Sequence, residues 1–129
     1  MTLIAGGLLL ALAGSVSWIL TNLRIAVVTG HSMYPTLRDH DRVLVRRTRR
    51  PRRGDIVLAA MPTRTGWIVK RVAALPGDPA PAELGELAGR RVPAGMLVLL
   101  GDNPLASADS RDFGYVPAER LFGTLLRKL

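Results

Sequence analysis

The chain has 129 residues and no cysteine, and 18 basic against 10 acidic residues give it a formal net charge of +8. This length accommodates one globular domain and one membrane segment and excludes a second independent core. The lack of cysteine excludes disulfides, thiolate metal sites and a cysteine nucleophile. The positive charge favours an anionic partner, such as phospholipid or nucleic acid, without choosing between them.

The first predicted element is a membrane-spanning helix over residues 1–23, which carry no charged side chain. About 20 apolar residues in a helix cross a hydrocarbon core of about 30 Å. Trp18 and Arg24 suit the headgroup level at its exit. The alternative is a cleaved signal peptide, because Ala11-Leu12-Ala13 is a small-x-small sequence, but no basic residue precedes the apolar run. We therefore predict a transmembrane anchor at 1–23 and a catalytic domain at 24–129.

Five runs rich in Val, Ile and Leu follow the anchor, each bounded by Gly, Pro or Asp. They predict β-strands at 25–28, 42–47, 54–60, 67–75 and 96–102. Residues 79–89 are rich in Ala, Pro and Glu and predict a short helix at 82–88 or a surface loop. The predicted fold class is therefore mainly β.

A strongly basic segment runs from the end of the second predicted strand to the start of the third, and its arginines are Arg46, Arg47, Arg49, Arg50, Arg52 and Arg53. We interpret this segment as a solvated hairpin. The functional alternative is contact with anionic lipid close to the anchor. Nucleic acid is less favoured, because the segment has no aromatic residue on which bases could stack.

A serine nucleophile needs a base within hydrogen-bond reach, and His or Lys are the practical candidates. His31 adjoins Ser32, and neighbouring side chains of an extended segment point to opposite faces. His40 lies in a polar run that favours a solvated turn. Lys70 lies in a strand-like run, in a chain whose other basic residues, except Lys128, are arginines. A buried lysine can lose its proton and an arginine cannot, although a strand lysine that extends to solvent is the structural alternative.

Three separated segments resemble the motifs of the type I signal peptidase family. Residues 30–37 (GHSMYPTL) are similar to its nucleophile motif, and 70–72 (KRV) with 76–78 (PGD) to its lysine motif. Residues 101–103 (GDN) and 107–114 (SADSRDFG) resemble its third motif, and 53–57 (RGDIV) lie between the first two. The resemblance covers residues 3–120. It implies one N-terminal transmembrane helix followed by a compact, β-barrel-like catalytic domain of the signal peptidase type, here a minimal one.

The implied activity is that of a serine endopeptidase with a Ser-Lys dyad and with no cofactor or metal. Ser32 would attack the peptide bond and donate its backbone N–H to the oxyanion, and Lys70 would take its proton. Gly30 stands where some members carry a serine as a second oxyanion donor. The remaining residues would support the dyad: Ser107 orients Lys70, Asp109 pairs with Arg111, Arg71 and Asp102 brace the structure, and Met33 and Pro35 shape the nucleophile turn.

The resemblance implies preprotein or leader-peptide substrates with small residues, such as Ala-x-Ala, before the cleaved bond. It implies a single-pass protein of the cytoplasmic membrane, in contact with lipid and with the catalytic domain on the extracytoplasmic side. No nucleic acid is expected. Charge counting favours the opposite orientation, because the basic residues follow the helix.

Three other functions remain open. One is a dedicated maturation protease for a single partner protein. Another is a relative of the self-cleaving repressors, which share a Ser-Met turn and a strand lysine but need a DNA-binding domain. The third is a non-catalytic, membrane-tethered basic binding module, in which Ser32 and Lys70 would be incidental.

Overall fold

The structure, a computed structural model, describes residues 2–129 and consists of an N-terminal helix followed by a sheet. Met1, the first residue of the predicted anchor, lies outside the described residues. Helix α1 spans Thr2–Asn22, and the strands are β1 (Leu23–Val27), β2 (Arg42–Arg47), β3 (Ile56–Ala60), β4 (Trp67–Ala74), β5 (Met96–Leu100), β6 (Val116–Pro117) and β7 (Leu121–Lys128). A second short helix, α2, spans Ser110–Phe113, and 3₁₀ helices span Ala82–Leu87, Pro104–Ala106 and Ala118–Arg120.

Helix α1 is long and apolar enough to cross a membrane, and none of its side chains from Ile4 onward is buried against the rest of the described protein, apart from partial cover of Asn22. Its polar side chains are satisfied internally: Ser15, Thr21 and Asn22 donate to carbonyl oxygens four residues earlier, at 2.9, 2.8 and 2.9 Å. Polar groups in hydrocarbon need such partners. These features fit the predicted anchor.

All seven strands belong to one antiparallel sheet in the order β1-β2-β7-β3-β4-β5-β6. The mainly β fold class is confirmed, and the five predicted strands all form. Strands β6 and β7 were not predicted. The sheet curls, because β1 and β4 line the same cavity although three strands lie between them.

The interpretation of the arginine-rich segment as a hairpin is wrong. Strand β7 pairs with both β2 and β3, so these two strands run parallel and are not neighbours. Arg46 and Arg47 form the end of β2, and the rest of the segment is a crossover loop past the end of β7. Its solvent exposure agrees with the prediction, since all six arginines are exposed.

Both faces of the central strands are covered, which explains their unbroken apolar sequences. On β3, Val57 and Ala59 belong to one buried cluster, and Ile56 and Leu58 pack against another. Alternate residues of a strand point to opposite faces, so one apolar strand serves two cores. The second cluster also contains Met33, from the loop after β1, and therefore fixes that loop to the sheet.

Candidate active site

Ser32 lies in a loop that is closed at its base. Val28 N–H donates to the Asp41 carbonyl at 2.8 Å, and His40 N–H donates back to the Val28 carbonyl at 2.7 Å. Within the loop, Met33 and Leu37 are buried in the core. These two apolar side chains anchor the turn. Ser32, which directly precedes Met33, stays partly exposed.

Asn103, in the segment after β5, binds the Ser32 turn with two hydrogen bonds. Its backbone N–H donates to the Ser32 carbonyl at 2.8 Å, and its side-chain amide donates to the His31 carbonyl at 3.1 Å. No acceptor for the backbone N–H of Ser32 occurs within residues 2–129. This donor is therefore free, whereas the Gly30 N–H is used by Asp39 Oδ1 at 2.9 Å.

Lys70 projects from the middle of β4 into apolar surroundings and is 4% exposed. It pairs across the sheet with Val57, and directly opposed residues project to the same face. Val72 lies two residues further along that face, and both valines belong to one buried cluster. Because burial disfavours the ammonium form, it lowers the pKa of Lys70 below its ordinary value.

Two opposite charges near Lys70 act against each other. Asp109 raises the pKa of Lys70 and Arg111 lowers it, and burial outweighs both. Within residues 2–129, the Lys70 amine forms no hydrogen bond or ion pair, including none with Ser107. A lysine in this setting can act as a proton acceptor.

Asp109 collects the hydrogen bonds that shape the adjacent turn. Its carboxylate accepts from the Arg111 guanidinium at 2.9 and 2.5 Å, from Ser107 Oγ at 2.6 Å and from the Gly101 N–H at 2.8 Å. Burial opposes ionisation of this carboxyl, but these donors outweigh it and lower the pKa of Asp109 to about 2. Asp109 also caps α2 by accepting from the Arg111 N–H.

Gly101 lies where the three segments meet. The antiparallel register places Arg71 opposite Leu100, so the next position brings Lys70 beside Gly101. A Cβ on Gly101 would lie 2.1 Å from Ser107 Oγ and 2.7 Å from the Ser32 carbonyl oxygen. The close approach of the Ser32 turn, the Ser107 turn and β4 therefore requires glycine here.

Asp102 forms a second link between the nucleophile loop and β4. It accepts from Arg71 Nε and Nη2 at 2.8 and 2.7 Å and from Thr36 Oγ1 at 2.6 Å. Arg71 also donates to the Gly54 carbonyl at 2.7 Å. The Arg71 guanidinium lowers the pKa of Asp102.

A cavity of about 490 Å³ brings Ser32 and Lys70 together. Its walls are β1, the turn that follows β1, the β3–β4 hairpin and the first half of β4. Ala106 and Ala108 close it beside the Ser107 turn, and His31 also lines it. His40 does not line this cavity; its side chain is 83% exposed and lies 3.3 Å from Asp39. The cavity therefore offers Ser32 a lysine rather than the triad with His40.

The structure thus brings the sequence-predicted residues into one region. Ser32 and Lys70 line the cavity, the two Asp–Arg pairs form behind it, and Met33 is buried under the turn. Pro35 follows a cis peptide bond with Tyr34. No group of three or more His, Cys, Asp or Glu within residues 2–129 is arranged to hold a metal ion.

Three contributing residues were not predicted individually: Thr36, Gly101 and Asn103. All three occur in the motif segments quoted from the sequence. Two of them make side-chain contacts across 66 and 72 positions of the chain, Thr36 with Asp102 and Asn103 with His31. The motif signal was therefore present, but only the fold shows which atoms meet.

Comparison with known proteins identifies relatives along most of the chain. The family model of signal peptidase, peptidase S26, matches residues 2–88 and 79–127. Signal peptidase I T of Bacillus subtilis is 29% identical over 133 residues, covering 76% of this chain and 69% of that protein. Mitochondrial inner membrane protease subunit 1 of Xenopus tropicalis is 34% identical over 109 residues, covering 78% and 65%.

The corresponding mouse subunit is 33% identical over 114 residues, covering 81% of this chain and 68% of its own length. A crystal structure of a signal peptidase I from Enterococcus faecalis aligns with a TM-score of 0.49 and 24% identity, over 59% of this chain and 97% of that one. The chain thus spans about two thirds of the length of the first of these relatives. Because the family model matches nearly the whole chain, the protein belongs to the signal peptidase family, peptidase S26.

Proposed function

We propose that the protein is a membrane-anchored serine endopeptidase that removes signal or leader peptides from exported proteins, with Ser32 as nucleophile and Lys70 as general base. The observation that carries this proposal is the shared cavity, into which a serine on a braced turn and a buried lysine both open. Membership of the peptidase family supports the reaction class.

In the first half of the reaction, the neutral Lys70 amine takes the proton of Ser32 Oγ as that oxygen attacks the carbonyl carbon of the substrate. The negative charge passes to the carbonyl oxygen, which accepts from the free Ser32 N–H. When the C–N bond breaks, the Lys70 ammonium returns its proton to the leaving amine. An acyl-enzyme ester on Ser32 and a released chain with a new N-terminus remain.

In the second half, Lys70 takes a proton from a water molecule as that water attacks the ester carbonyl. The C–O bond to Ser32 breaks, and the proton on Lys70 passes to Ser32 Oγ. The leader leaves with a new carboxylate, and the enzyme is restored. No external reagent besides water is consumed.

Ser107 and Asp109 serve the dyad as positioning residues in this proposal. The Ser107 hydroxyl donates a hydrogen bond to Asp109, so the lone pairs of Ser107 Oγ stay available to the Lys70 amine. Such an interaction would hold the amine towards Ser32. Asp109 and Arg111 keep the Ser107 turn in place, and Asp102 and Arg71 tie the nucleophile loop to β4.

We expect cleavage after small-x-small sequences such as Ala-x-Ala. The cavity lies between β1 and β4, so it suits an extended peptide, in which alternate side chains point the same way. The catalytic domain would lie on the extracytoplasmic side, where translocated leaders are exposed. Protease added to intact spheroplasts should then digest the chain beyond about Arg24, and complete protection would contradict this orientation.

The direct test is to incubate the detergent-solubilised protein with a panel of preproteins and to sequence the new N-termini. Cleavage after small residues, abolished in Ser32→Ala, is expected. A Ser15→Ala variant is a matched control, because Ser15 lies on α1 and bonds within that helix. Unchanged cleavage by Ser32→Ala would rule out the proposed nucleophile. Cleavage of one preprotein in the panel, rather than many, would identify a dedicated protease.

A further inference from the structure

Two arginines line the same cavity as Ser32 and Lys70 but have no part in the dyad. Arg24 belongs to β1, and Arg64 lies in the hairpin between β3 and β4. Both are exposed, and neither forms an ion pair or a side-chain hydrogen bond within residues 2–129. No aspartate or glutamate of the described chain lines this cavity. Its fixed positive charge therefore has no counterion in its own walls.

The Arg24 guanidinium packs on one ring of an aromatic pair. It lies over the Phe122 ring, 5.2 Å from the ring centroid. Trp67, which also lines the cavity, meets Phe122 edge-on with ring centroids 6.5 Å apart. This packing limits the freedom of the long side chain and keeps its charge at the cavity.

We propose that Arg24 and Arg64 form a subsite for an acidic side chain of the substrate, on the leader side of the cleaved bond. The inference rests on the proposed function and adds a substrate preference to it. Guanidinium groups suit carboxylates because their fixed donors match both oxygens. A leader with Glu or Asp at this subsite is bound and cleaved in preference to one with Gln, and one with Lys is disfavoured.

Strand geometry gives the position of the subsite along the substrate. Trp67 lies three positions before Lys70, and a strand rises about 3.3 Å per residue, so Trp67 lies about 10 Å from the lysine along β4. Arg64 lies beyond Trp67 in the hairpin. An extended peptide whose cleaved bond is at Ser32 therefore brings its third to sixth residue from that bond to the arginines.

The direction follows from the membrane helix. Arg24 is the second residue after α1, so the arginine end of the cavity is the end nearest the membrane. A leader held in the membrane by its apolar part reaches the cavity from that end. The residues next to Arg24 and Arg64 are thus those that precede the cleaved bond.

An anionic phospholipid headgroup would also suit two arginines close to a membrane. The substrate is favoured here because both arginines line the cavity that contains Ser32 and Lys70. The arginines of the crossover loop are also exposed, but they do not line the cavity. They provide a matched control, since replacing Arg49 and Arg50 removes the same charge elsewhere.

The experiment uses the full chain in neutral detergent with leader peptides that carry Glu, Gln or Lys at one position, scanned from the third to the sixth residue before an Ala-x-Ala site. Their kcat/KM is measured with the parent protein, with Arg24→Gln/Arg64→Gln and with Arg49→Gln/Arg50→Gln. Affinities for the same peptides are measured by fluorescence anisotropy with Ser32→Ala, which reports binding without cleavage.

At one or more positions we expect a Glu over Gln preference of about fivefold in both measurements, because exposed charge pairs are worth that much. Lys should be disfavoured by a similar factor. The preference should fall to within about twofold in Arg24→Gln/Arg64→Gln, persist in Arg49→Gln/Arg50→Gln and shrink in about 1 M salt.

Equal use of Glu and Gln peptides at every position would overturn the subsite, and so would a preference that survives in Arg24→Gln/Arg64→Gln. If Arg24→Gln/Arg64→Gln changes kcat/KM in the presence of anionic vesicles, and does so equally for the Glu, Gln and Lys peptides, the arginines are assigned to lipid. Binding preference by Ser32→Ala without any cleavage by the parent would keep the subsite and reject the proposed peptidase reaction.

Discussion

Two aspartate–arginine pairs brace the site, and they differ in burial and in reach. The Asp109 side chain is fully buried and pairs with an arginine two positions away, whereas Asp102 is 18% exposed and pairs with Arg71, 31 positions away. The buried pair organises one turn. The partly exposed pair joins three distant segments, because Asp102 also accepts from Thr36 and Arg71 donates to Gly54.

The buried pair shows how an arginine, Arg111, can lie close to the buried Lys70. Asp109 and Arg111 are both near Lys70, and their effects on the pKa of Lys70 have opposite signs. The two effects therefore oppose each other, and burial, which is the largest cause, decides that the pKa of Lys70 is lowered. The partly exposed pair holds the two segments in position, and solvent partly screens its charges.

The largest expected effect is that of Asp109→Ala. It removes the acceptor of Arg111, Ser107 and the Gly101 N–H at once and leaves a partly buried guanidinium unpaired. Breaking a buried pair in this way costs about 3–5 kcal/mol of unfolding free energy. Urea unfolding of the detergent-solubilised variant measures the loss. A loss below about 1 kcal/mol would show that the buried pair does not brace the fold.

Gly101→Ala should come next. The added methyl group would overlap Ser107 Oγ and the Ser32 carbonyl oxygen, at 2.1 and 2.7 Å. Overpacking of this kind costs about 3 kcal/mol at most in typical cases and should displace Ser32 from Lys70. Thermal melting and cleavage rates measure the two effects. Gly95→Ala is the control, because its added Cβ meets nothing within 4 Å, although its positive φ adds local strain. Parental activity in Gly101→Ala would contradict the close approach.

At acidic pH, the unfolding free energy should depend on the ionisation of Asp109. Its folded-state pKa of about 2 lies below the ordinary value of 3.8, so its contribution is fully present above pH 3.8 and is lost as the pH falls towards 2. The shift corresponds to about 2 kcal/mol. Asp109→Asn should flatten the dependence of unfolding free energy on pH in this range. An unchanged slope would mean that Asp109 is not held as the anion.

Asp102→Asn should have the smallest effect, about 1 kcal/mol or less of unfolding free energy, because the pair is partly exposed. Its effect on catalysis should appear in kcat rather than KM, since one of the two acceptor oxygens that Thr36 and Arg71 share becomes an NH2 donor and the nucleophile loop shifts against β4. Steady-state kinetics separate the two constants. A destabilisation as large as that of Asp109→Ala would remove the contrast between the pairs.

Much of the fold could be predicted because local sequence and final structure agree there. Strand β2 was predicted with the observed bounds, since its Val and Leu residues alternate between core and surface. Strand β7 was missed because Gly123 interrupts its pattern. A Cβ at that position would lie 1.9 Å from the Arg46 carbonyl oxygen, so packing against β2 requires the residue that obscures the strand signal.

The sequence supplied the residues of the candidate site but not the contacts between them. The lysine stood out because the chain otherwise relies on arginine, and its burial is confirmed. The insertion of β7 between β2 and β3 is a long-range pairing that no local pattern encodes, and the hairpin interpretation failed there. The bonds from Asn103 to the Ser32 turn likewise depend on how distant strands pair.

The most direct test of the central claim compares Lys70→Arg with Ser32→Ala. Arginine preserves the positive charge but stays protonated, so a general base is lost while an electrostatic role would survive. Lys128→Arg is the matched control, because this exposed lysine forms an ion pair with Asp41 at 3.1 Å that arginine can replace. Circular dichroism and thermal melting verify that each variant is folded.

We expect Lys70→Arg to lose about 10² to 10⁴ in cleavage rate, close to Ser32→Ala, while Lys128→Arg stays near the parent. In the parent, kcat/KM should rise with pH as Lys70 loses its proton, below the ordinary range of a lysine, because burial lowers its pKa. A folded Lys70→Arg protein that cleaves within about tenfold of the parent would contradict the assignment of Lys70 as the general base.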